Sequence, residues 1–251
     1  MVDIHSHLIY EVDDGSKSIE DTIYMLKEAE DAGFTDIILT PHYMENYFTV
    51  SCNEISEKIK LIKEKMGNIN VNLYQGNEIY STTNIINLIN NKQATTLNNS
   101  RYVLIELQMQ EKPIELDEVI YLLLKNNKIP IIAHPERYKY VQDDPNILLD
   151  YINEGVLFQA NYGSISGMYG KTVKQTVKKL ITHNMIHFLG SDNHRTNSIY
   201  SNMEQTLKTL NKWVNKKNVK ELTEINPKNI LNNEEFDINE PQKIKKRFFK
   251  F

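Results

Sequence analysis

The fold class that this sequence predicts is α/β, a barrel of parallel strands wrapped by helices, and three observations predict it. Seven short apolar runs rich in Ile, Val, Leu and Phe are separated by segments of helical spacing. Six polar clusters ride just behind such runs: DIHSH at 3–7, TPH at 40–42, GNE at 76–78, IE at 105–106, AHPER at 133–137 and GSDNH at 190–194. A length of 251 residues suits one α/β barrel better than two small domains.

The runs at 2–4, 36–39, 71–74, 102–105, 129–132, 156–159 and 186–189 are short and β-branched, which favours buried strands. After the first run, Ser18 and Asp21 predict a capped helix start, with Ile19, Ile23, Leu26 and Ala29 on one face and Gly33 as its stop. The stretch 52–66 repeats that logic with Ile55, Ile59, Ile62 and Met66. An Asn-rich helix is expected around 84–90, within an otherwise irregular stretch from Ser81 to Ser100. Further helices fit 116–126, 147–154, 173–183 and 203–216. Strand alternating with helix implies a parallel sheet, and about seven such units imply a closed or nearly closed barrel of reduced strand number. A doubly wound sheet is the alternative, but no glycine-rich dinucleotide turn is present. The barrel is expected to occupy residues 1–232, with the chain after about 225 reading as an appendage and 233–251 as a charged tail.

A formal charge of −4 with interspersed signs gives no global field for nucleic acid or membrane. The exception is KIKKRFFKF at 243–251, which combines Lys243, Lys245, Lys246, Arg247 and Lys250 with Phe248, Phe249 and Phe251. That composition suits either a weak contact with an anionic bilayer or acidic partner, or a solvated terminus. Cys52 is the lone cysteine, no stretch is apolar for 18 residues, and no charged-then-apolar leader opens the chain, so a cytoplasmic location is expected.

In a parallel barrel the strand ends open on one face, where catalytic groups collect. His5 and His7 lie two apart in an extended segment and share a side. His42 follows the second strand, Glu78 the third, Glu106 the fourth and His134 the fifth, and Asp192 and His194 repeat the two-residue spacing after the last. So many carboxylates at one mouth would repel one another and protonate unless cations held them, which points to several metals. Asp13 and Asp14, before Gly15, are within reach of a metal from the first loop. Tyr10, Tyr43, Tyr47, Phe48, Tyr80, Tyr138 and Tyr162 fall near the same exits, as walls for an aromatic ester or as ordinary loop residues. Asn161 is a polar lining candidate.

DIHSH, then DDG, TPH, GNE, HPER and SDNH in that order, resembles the polymerase and histidinol phosphatase (PHP) superfamily. The run AHPERY and the length make the chain similar to the bacterial manganese-dependent protein-tyrosine phosphatases of capsule and exopolysaccharide systems. That resemblance spans residue 2 to about 232 and implies a distorted (β/α)7 TIM-like barrel holding three divalent metal ions at its strand C-termini. Manganese is the metal of that family; Fe2+ and Zn2+ suit the same donors. Carried over motif by motif, His5, His7, Glu78 and Asp192 would hold one ion, Glu78, Glu106 and His134 the second, and Asp14, His42 and His194 the third. Arg137 would bind the phosphoryl group, and His194 or a water would protonate the leaving group. A second phosphate-binding arginine is expected beyond SDNH; here Arg195 directly follows His194, so either it substitutes or Arg137 acts alone. The implied partner is a phosphotyrosyl protein, a bacterial tyrosine autokinase.

Three rival readings remain open on the sequence. A small-molecule phosphatase, such as one for histidinol phosphate, uses the same cluster. A non-catalytic kinase-binding module would carry degenerate ligand positions, and none is visible. A nuclease would need a basic groove that the charge balance lacks. Cysteine chemistry fails outright, since Cys52 opens CNEISEK with no glycine loop and Lys58 where an arginine belongs.

Overall fold

The computed structural model describes residues 1–235 and 237–245. Among the described residues nine strands run β1 Val2–Asp3, β2 Asp36–Leu39, β3 His42–Tyr43, β4 Asn72–Gln75, β5 Glu78–Tyr80, β6 Tyr102–Glu106, β7 Ile129–Ala133, β8 Leu157–Asn161 and β9 Phe188–Gly190. All pair in parallel, in the orders β1-β2-β4 and β3-β5-β6-β7-β8-β9. The second and third expected strands, 36–39 and 71–74, are β2 and β4, and after a two-residue break each is followed by a short strand that was not expected, β3 and β5. Thr40-Pro41 separates β2 from β3, and Gly76-Asn77 separates β4 from β5. Proline donates no ladder bond, and at Gly76 a Cβ would come within 2.8 Å of the Ile38 side chain.

The split does not open the ring. Gly76 N donates to Leu39 O and Glu78 N to Pro41 O across the break. A parallel bridge between Ser6 and Asn193 joins the first segment to the last, with Asp192 N donating to His5 O (2.8 Å) and His7 N to Asn193 O (3.1 Å). Seven segments therefore close into a distorted barrel.

Alternation explains the core. Val2, Ile4, Ile38, Tyr102, Leu104, Ile131, Leu157 and Phe188 form one buried cluster inside the ring, while Ile37, Leu39, Val103, Ile105, Ile132, Phe158 and Leu189 belong to a second cluster under the helices. The helices are α1 Ile19–Asp31, α2 Cys52–Lys65, α3 Ile85–Asn90, α4 Leu116–Lys125, α5 Lys139–Asp143, α6 Leu148–Asn153, α7 Tyr162–Ser166, α8 Lys171–Thr182, α9 Met203–Leu210, α10 Lys216–Lys220 and α11 Asn226–Asn232. Ser18 caps α1 by accepting from Asp21 N. The buried face of α1 is rotated from the expected one: Thr22, Met25, Leu26 and Ala29 are buried, and Ile19 and Ile23 sit at its edge. Thr22 goes inside because its hydroxyl donates to Leu8 O at 2.7 Å.

The expected 203–216 helix ends at Leu210, and the chain resumes through α10 and a π-helical turn at Glu221–Ile225. At the expected start of an appendage, Asn226–Asn232 forms a helix that packs against the interior cluster. Pro227 suits the first turn of α11, and Ile230 is buried with the interior cluster. The described residues beyond 232, 233–235 and 237–245, also make contacts with the barrel. Tyr102 Oη donates to Glu234 O, Gln242 N to His183 O, and Asn146 exchanges two hydrogen bonds with Ile244. Lys243 and Lys245 of the basic tail are exposed, whereas Lys246, Arg247, Phe248, Phe249, Lys250 and Phe251 lie outside the described residues. No helix among the described residues is long and apolar enough to cross a membrane.

Candidate metal centre

The period of two that fills the barrel interior also places the polar groups at its mouth. Beyond Ile38 by four residues stands His42; beyond Leu104 by two, Glu106; beyond Leu157, Gln159 and Asn161; beyond Phe188 by four, Asp192. Two positions use left-handed backbone to turn at a strand end, His134 at φ 34° and Asp192 at φ 53°. Gly15 and Gly190 keep the space. A Cβ at Gly15 would meet His7 O at 2.2 Å, and one at Gly190 would meet the His5 Cβ at 2.8 Å.

Glu78 is the hub. Its Oε2 lies 3.2 Å from His5 Nε2, 3.3 Å from His7 Nε2 and 3.0 Å from His42 Nδ1, and its Oε1 lies 3.2 Å from His134 Nε2. Asp192 Oδ1 stands 3.5 Å from His5 Nε2 and 3.4 Å from His7 Nε2. His134 Nε2 is 3.7 Å and His42 Nδ1 3.8 Å from Glu106. At the outer edge, exposed Asp14 faces His42 Nε2 at 3.6 Å and His194 Nε2 at 3.3 Å. Three sets of donor atoms each lie within 4.8 Å of one another: His5, His7 and Asp192; His42, Glu78 and Glu106; and His7, Asp14, His42 and His194. All nine expected ligand positions thus gather at one mouth. The groupings differ from expectation in that His7 also joins the outer set and His42 leans toward Glu78 and Glu106.

Residues behind the cluster fix which nitrogen each imidazole presents. His5 Nδ1 pairs with Gln159 Oε1 at 2.7 Å, His7 Nδ1 with Asp13 Oδ2 at 2.8 Å, and His194 Nδ1 with the Asp192 carbonyl at 2.9 Å. Each acceptor takes an Nδ1 proton, so each Nε2 is left with its lone pair toward the centre. Asp13, which the sequence paired with Asp14 as a metal-facing candidate, points the other way and also accepts from Gly15 N and His42 N. Gln159 Nε2 donates to Asn161 Oδ1, and Asn161 Nδ2 to Asp192 Oδ2 at 2.7 Å. Buried Glu136 accepts from Ser164 Oγ and Asn161 N. Asp3 accepts from Ser191 N and Tyr200 Oη. Asp3, Gln159 and Glu136 went unassigned in the sequence; for Gln159, its even spacing after Leu157 was the available signal.

The cluster suits cations on its own geometry. The Nε2 atoms of His5 and His7 face each other at 3.1 Å, close enough that a proton or a cation must lie between them to relieve the repulsion of their lone pairs. Glu78 Oε2 is buried and, despite three nitrogens within 3.3 Å, has no hydrogen bond of acceptable geometry. Nitrogen and carboxylate donors without sulfur match Mn2+, Fe2+ or Zn2+. Protons compete with cations for the same nitrogens. Burial opposes charge on His5 and His42, yet neighbouring carboxylates, Glu78 first, push them up to about 9 and about 10. Glu78, though buried, is held well below the usual carboxylate range by His5 and His42. Burial and then the Glu78 charge push Glu106 up to about 8.

Arg137 follows His134 on a single 3-10 turn, Pro135–Arg137. Its Nη1 donates to Asp192 Oδ2 at 3.0 Å and its guanidinium lies over the Tyr169 ring at 4.7 Å. Tyr169 had no role in the sequence reading. Arg195 is exposed and makes no hydrogen bond or ion pair among the described residues. Of the expected aromatic walls, Tyr43, Tyr138 and Tyr162 are core residues, whereas Phe48 stacks on His42 with centroids 5.6 Å apart.

A closed parallel barrel with His, Asp and Glu donors gathered at its mouth beside an arginine defines a metal-dependent hydrolase fold and site. The chain belongs to the CpsB/CapC family of capsular polysaccharide synthesis proteins, whose model matches residues 1–232. It is 38% identical over 196 residues to CapC of Staphylococcus aureus, covering 77% of each chain. It is 30% identical to the tyrosine-protein phosphatase YwqE of Bacillus subtilis, covering 98% of each. The tyrosine-protein phosphatase CpsB of Streptococcus pneumoniae is 30% identical, over 92% of this chain and 98% of its own. Among solved structures, the work on YwqE and CpsB as unique metal-dependent tyrosine phosphatases includes a chain that superposes with a TM-score of 0.91 at 28% identity, covering 98% of this chain and all of that one. A lactonase from Listeria monocytogenes, at 10% identity and a TM-score of 0.60 over 92% of this chain and 94% of its own, shares the fold alone.

Proposed function

We propose that this chain is a divalent-metal-dependent protein-tyrosine phosphatase whose target is a bacterial tyrosine autokinase, and that it regulates capsular or extracellular polysaccharide synthesis from the cytoplasm. The observation that carries the reading is the gathering of eight His, Asp and Glu residues in overlapping donor sets, with His134 against Glu78 and Glu106, beside a guanidinium that is only partly engaged. Family membership supports the chemistry and the pathway.

Three divalent ions are the cofactors. His5, His7, Glu78 and Asp192 would hold one, Glu78, Glu106 and His134 the second with His42 alongside, and Asp14, His42 and His194 the third with His7. Bound there, the ions would supply Lewis acidity toward phosphoryl oxygen and toward the attacking water. Arg137 spends one nitrogen on Asp192 and turns the rest of its planar fork to two phosphoryl oxygens, whose charge it offsets as the P–O bond stretches. Tyr169 beneath it fixes the plane of the fork. His194 fills one of its two expected roles at a time, since its Nδ1 proton is committed to the Asp192 carbonyl and only Nε2 remains. As a metal ligand it carries no proton there, and a phenol leaving group of pKa about 10 needs little acid help. Arg195, unpartnered and one residue beyond, is the second phosphate arm.

The experiment is phosphate release from a phosphotyrosyl peptide by protein purified without chelator, with its metal content measured in parallel. His134→Ala and Asp192→Ala should abolish release, and Arg195→Ala should raise KM. Undiminished release by metal-free protein would overturn the mechanism. A kcat/KM advantage for histidinol phosphate would replace the substrate by a small metabolite, and metal binding without turnover on either would leave a kinase-binding module.

A further inference from the structure

Charge is shared unevenly along this chain. Residues 171–220 carry nine lysines and Arg195 against only two acids, Asp192 and Glu204, an excess of eight positive charges in a protein whose formal net charge is −4. The fold gathers the lysines on one flank. α8 and α9 both pack on α7. Lys178 Nζ stands 5.7 Å from the centre of the Trp213 ring, between α9 and α10, and Lys179 shares a cavity wall with Lys245. Val173, Thr176, Val177, Leu180 and Ile181 form the buried stripe of α8, which turns Lys171, Lys178 and Lys179 outward. Lys171, Lys178, Lys179, Lys212, Lys216 and Lys220 are exposed and make no ion pair among the described residues. Acids that could offset them are engaged elsewhere: Glu204 pairs with Lys208, Glu221 with Lys217 and Asp143 with Lys139. Asp144 and Glu240 bound the flank near the end of α8, where Asn184 donates to the Glu240 carbonyl.

We infer that this flank docks the protein on an anionic lipid bilayer. The kind of cation decides the occupant. Lysine is a hydrated point charge that attracts without fixing a geometry, which suits a fluid layer of headgroups, whereas acidic or phosphorylated peptides held in register call for arginine forks. Arg195 is the one arginine in 171–220, and it stands at the mouth beside His194 rather than on the helices. Lysines near an anionic surface add their attractions without direct contact. Trp213, the chain's only tryptophan, lies half-buried within the flank, and indole rings settle at headgroup level. Docking leaves the metal centre open. Lys171 begins α8 two residues past Tyr169, whose ring lies under Arg137, so the flank starts at the rim of the mouth and runs away from it down the side of the barrel.

The test is sedimentation of the full chain with vesicles of phosphatidylcholine, alone or with about one-third phosphatidylserine. Binding should appear with the anionic vesicles only, fade in high salt, and bring a blue shift in tryptophan emission, which Trp213 alone supplies. Lys178→Gln, Lys179→Gln and Lys212→Gln combined should weaken the partition on the order of 100-fold, about fivefold per lysine. The same loss of charge from exposed positions on α2, by Lys60→Gln, Lys63→Gln and Lys65→Gln, should change it far less. No binding to anionic vesicles overturns the inference outright. Equal losses from the two triple variants, or binding without a shift in Trp213 emission, would also overturn it and pass the contact to another part of the chain, the basic run 243–251 included. Binding to polyglutamate or duplex DNA but not to anionic vesicles would replace the bilayer by an acidic macromolecule.

Discussion

The two ends of this barrel obey one rule and reach opposite chemistry. Inside the ring, alternate residues are Ile38, Leu104, Leu157 and Phe188, and α11 sets Ile230 against them. Two or four residues further along the chain, at or just past the strand ends, stand His42, Glu106, Gln159 and Asp192. A pair of buried histidines makes the contrast sharper. His5 at the mouth sits among carboxylates and is pushed up to about 9, whereas His187, ahead of β9, has no charged partner and burial pushes it down to about 4. The interior holds the ring together; the mouth concentrates charge that the fold tolerates for the sake of function.

The largest expected effect breaks the mouth without touching the interior. Arg137→Ala should lower kcat/KM on a phosphotyrosyl peptide by about 10²–10³, the range for losing one positioned charge partner in a transition state. Metal content should stay at the wild-type value, and the melting temperature should fall only modestly, because buried Asp192 loses one partner but keeps its hydrogen bond from Asn161 Nδ2. A loss of metal equal to the loss of activity would instead make Arg137 a support of the cluster.

The second prediction breaks the interior and spares the mouth. Ile230→Ala should cost roughly 2–5 kcal/mol by urea denaturation, the usual toll for truncating a fully buried side chain. Activity per folded molecule should survive, because Ile230 belongs to the apolar interior cluster rather than to the mouth. Destabilisation well below this range would mean that α11 is only loosely packed there.

Sequence reasoning reached the interior and the mouth by different routes. The strands were legible because β-branched runs report burial directly, and Glu106 and Asp192 because ligand-type residues stand at strand exits. The splits at Thr40-Pro41 and Gly76-Asn77 were harder, since a break in one ladder depends on a neighbour's side chain such as Ile38. The supporting shell was least legible. Gln159 and Glu136 look like ordinary polar residues until His5 and Asn161 are brought beside them, and Asp13 was separable from Asp14 only by the direction of a loop. Ile230 was read as part of an appendage because its burial partners are far away in sequence.

The third prediction concerns the uncompensated histidine. His187 Nδ1 accepts from Phe158 N, while its Nε2 is buried and unpaired. With a folded pKa of about 4 against an unfolded value near 6.5, the unfolded chain binds the extra proton between those pH values. Stability from this group is therefore complete above about pH 6.5 and lost as pH falls toward 4, by roughly 2 kcal/mol between pH 7 and pH 5. His187→Asn keeps an acceptor for Phe158 N and removes the titration, so its urea midpoint should fall less over that interval than that of the wild type. Parallel curves for the two proteins would show that His187 is solvated.

The smallest effect tests whether the mouth is built from its ligands alone. Asp13→Asn preserves shape but weakens the acceptor that fixes the His7 Nδ1 proton, and it removes a carboxylate that burial alone would neutralise and that His7 keeps ionised. Metal affinity, measured by competition with a chelator of known strength, should fall about 10–100-fold, as expected for a partner behind the ligand. Asp14→Asn changes a group that faces the outer set instead, so it should weaken the most readily lost ion and leave the tightest one in place. If the two substitutions release the same ion with the same affinity, Asp13 and Asp14 act as one unit, and the inner and outer sets at this mouth are not separate sites.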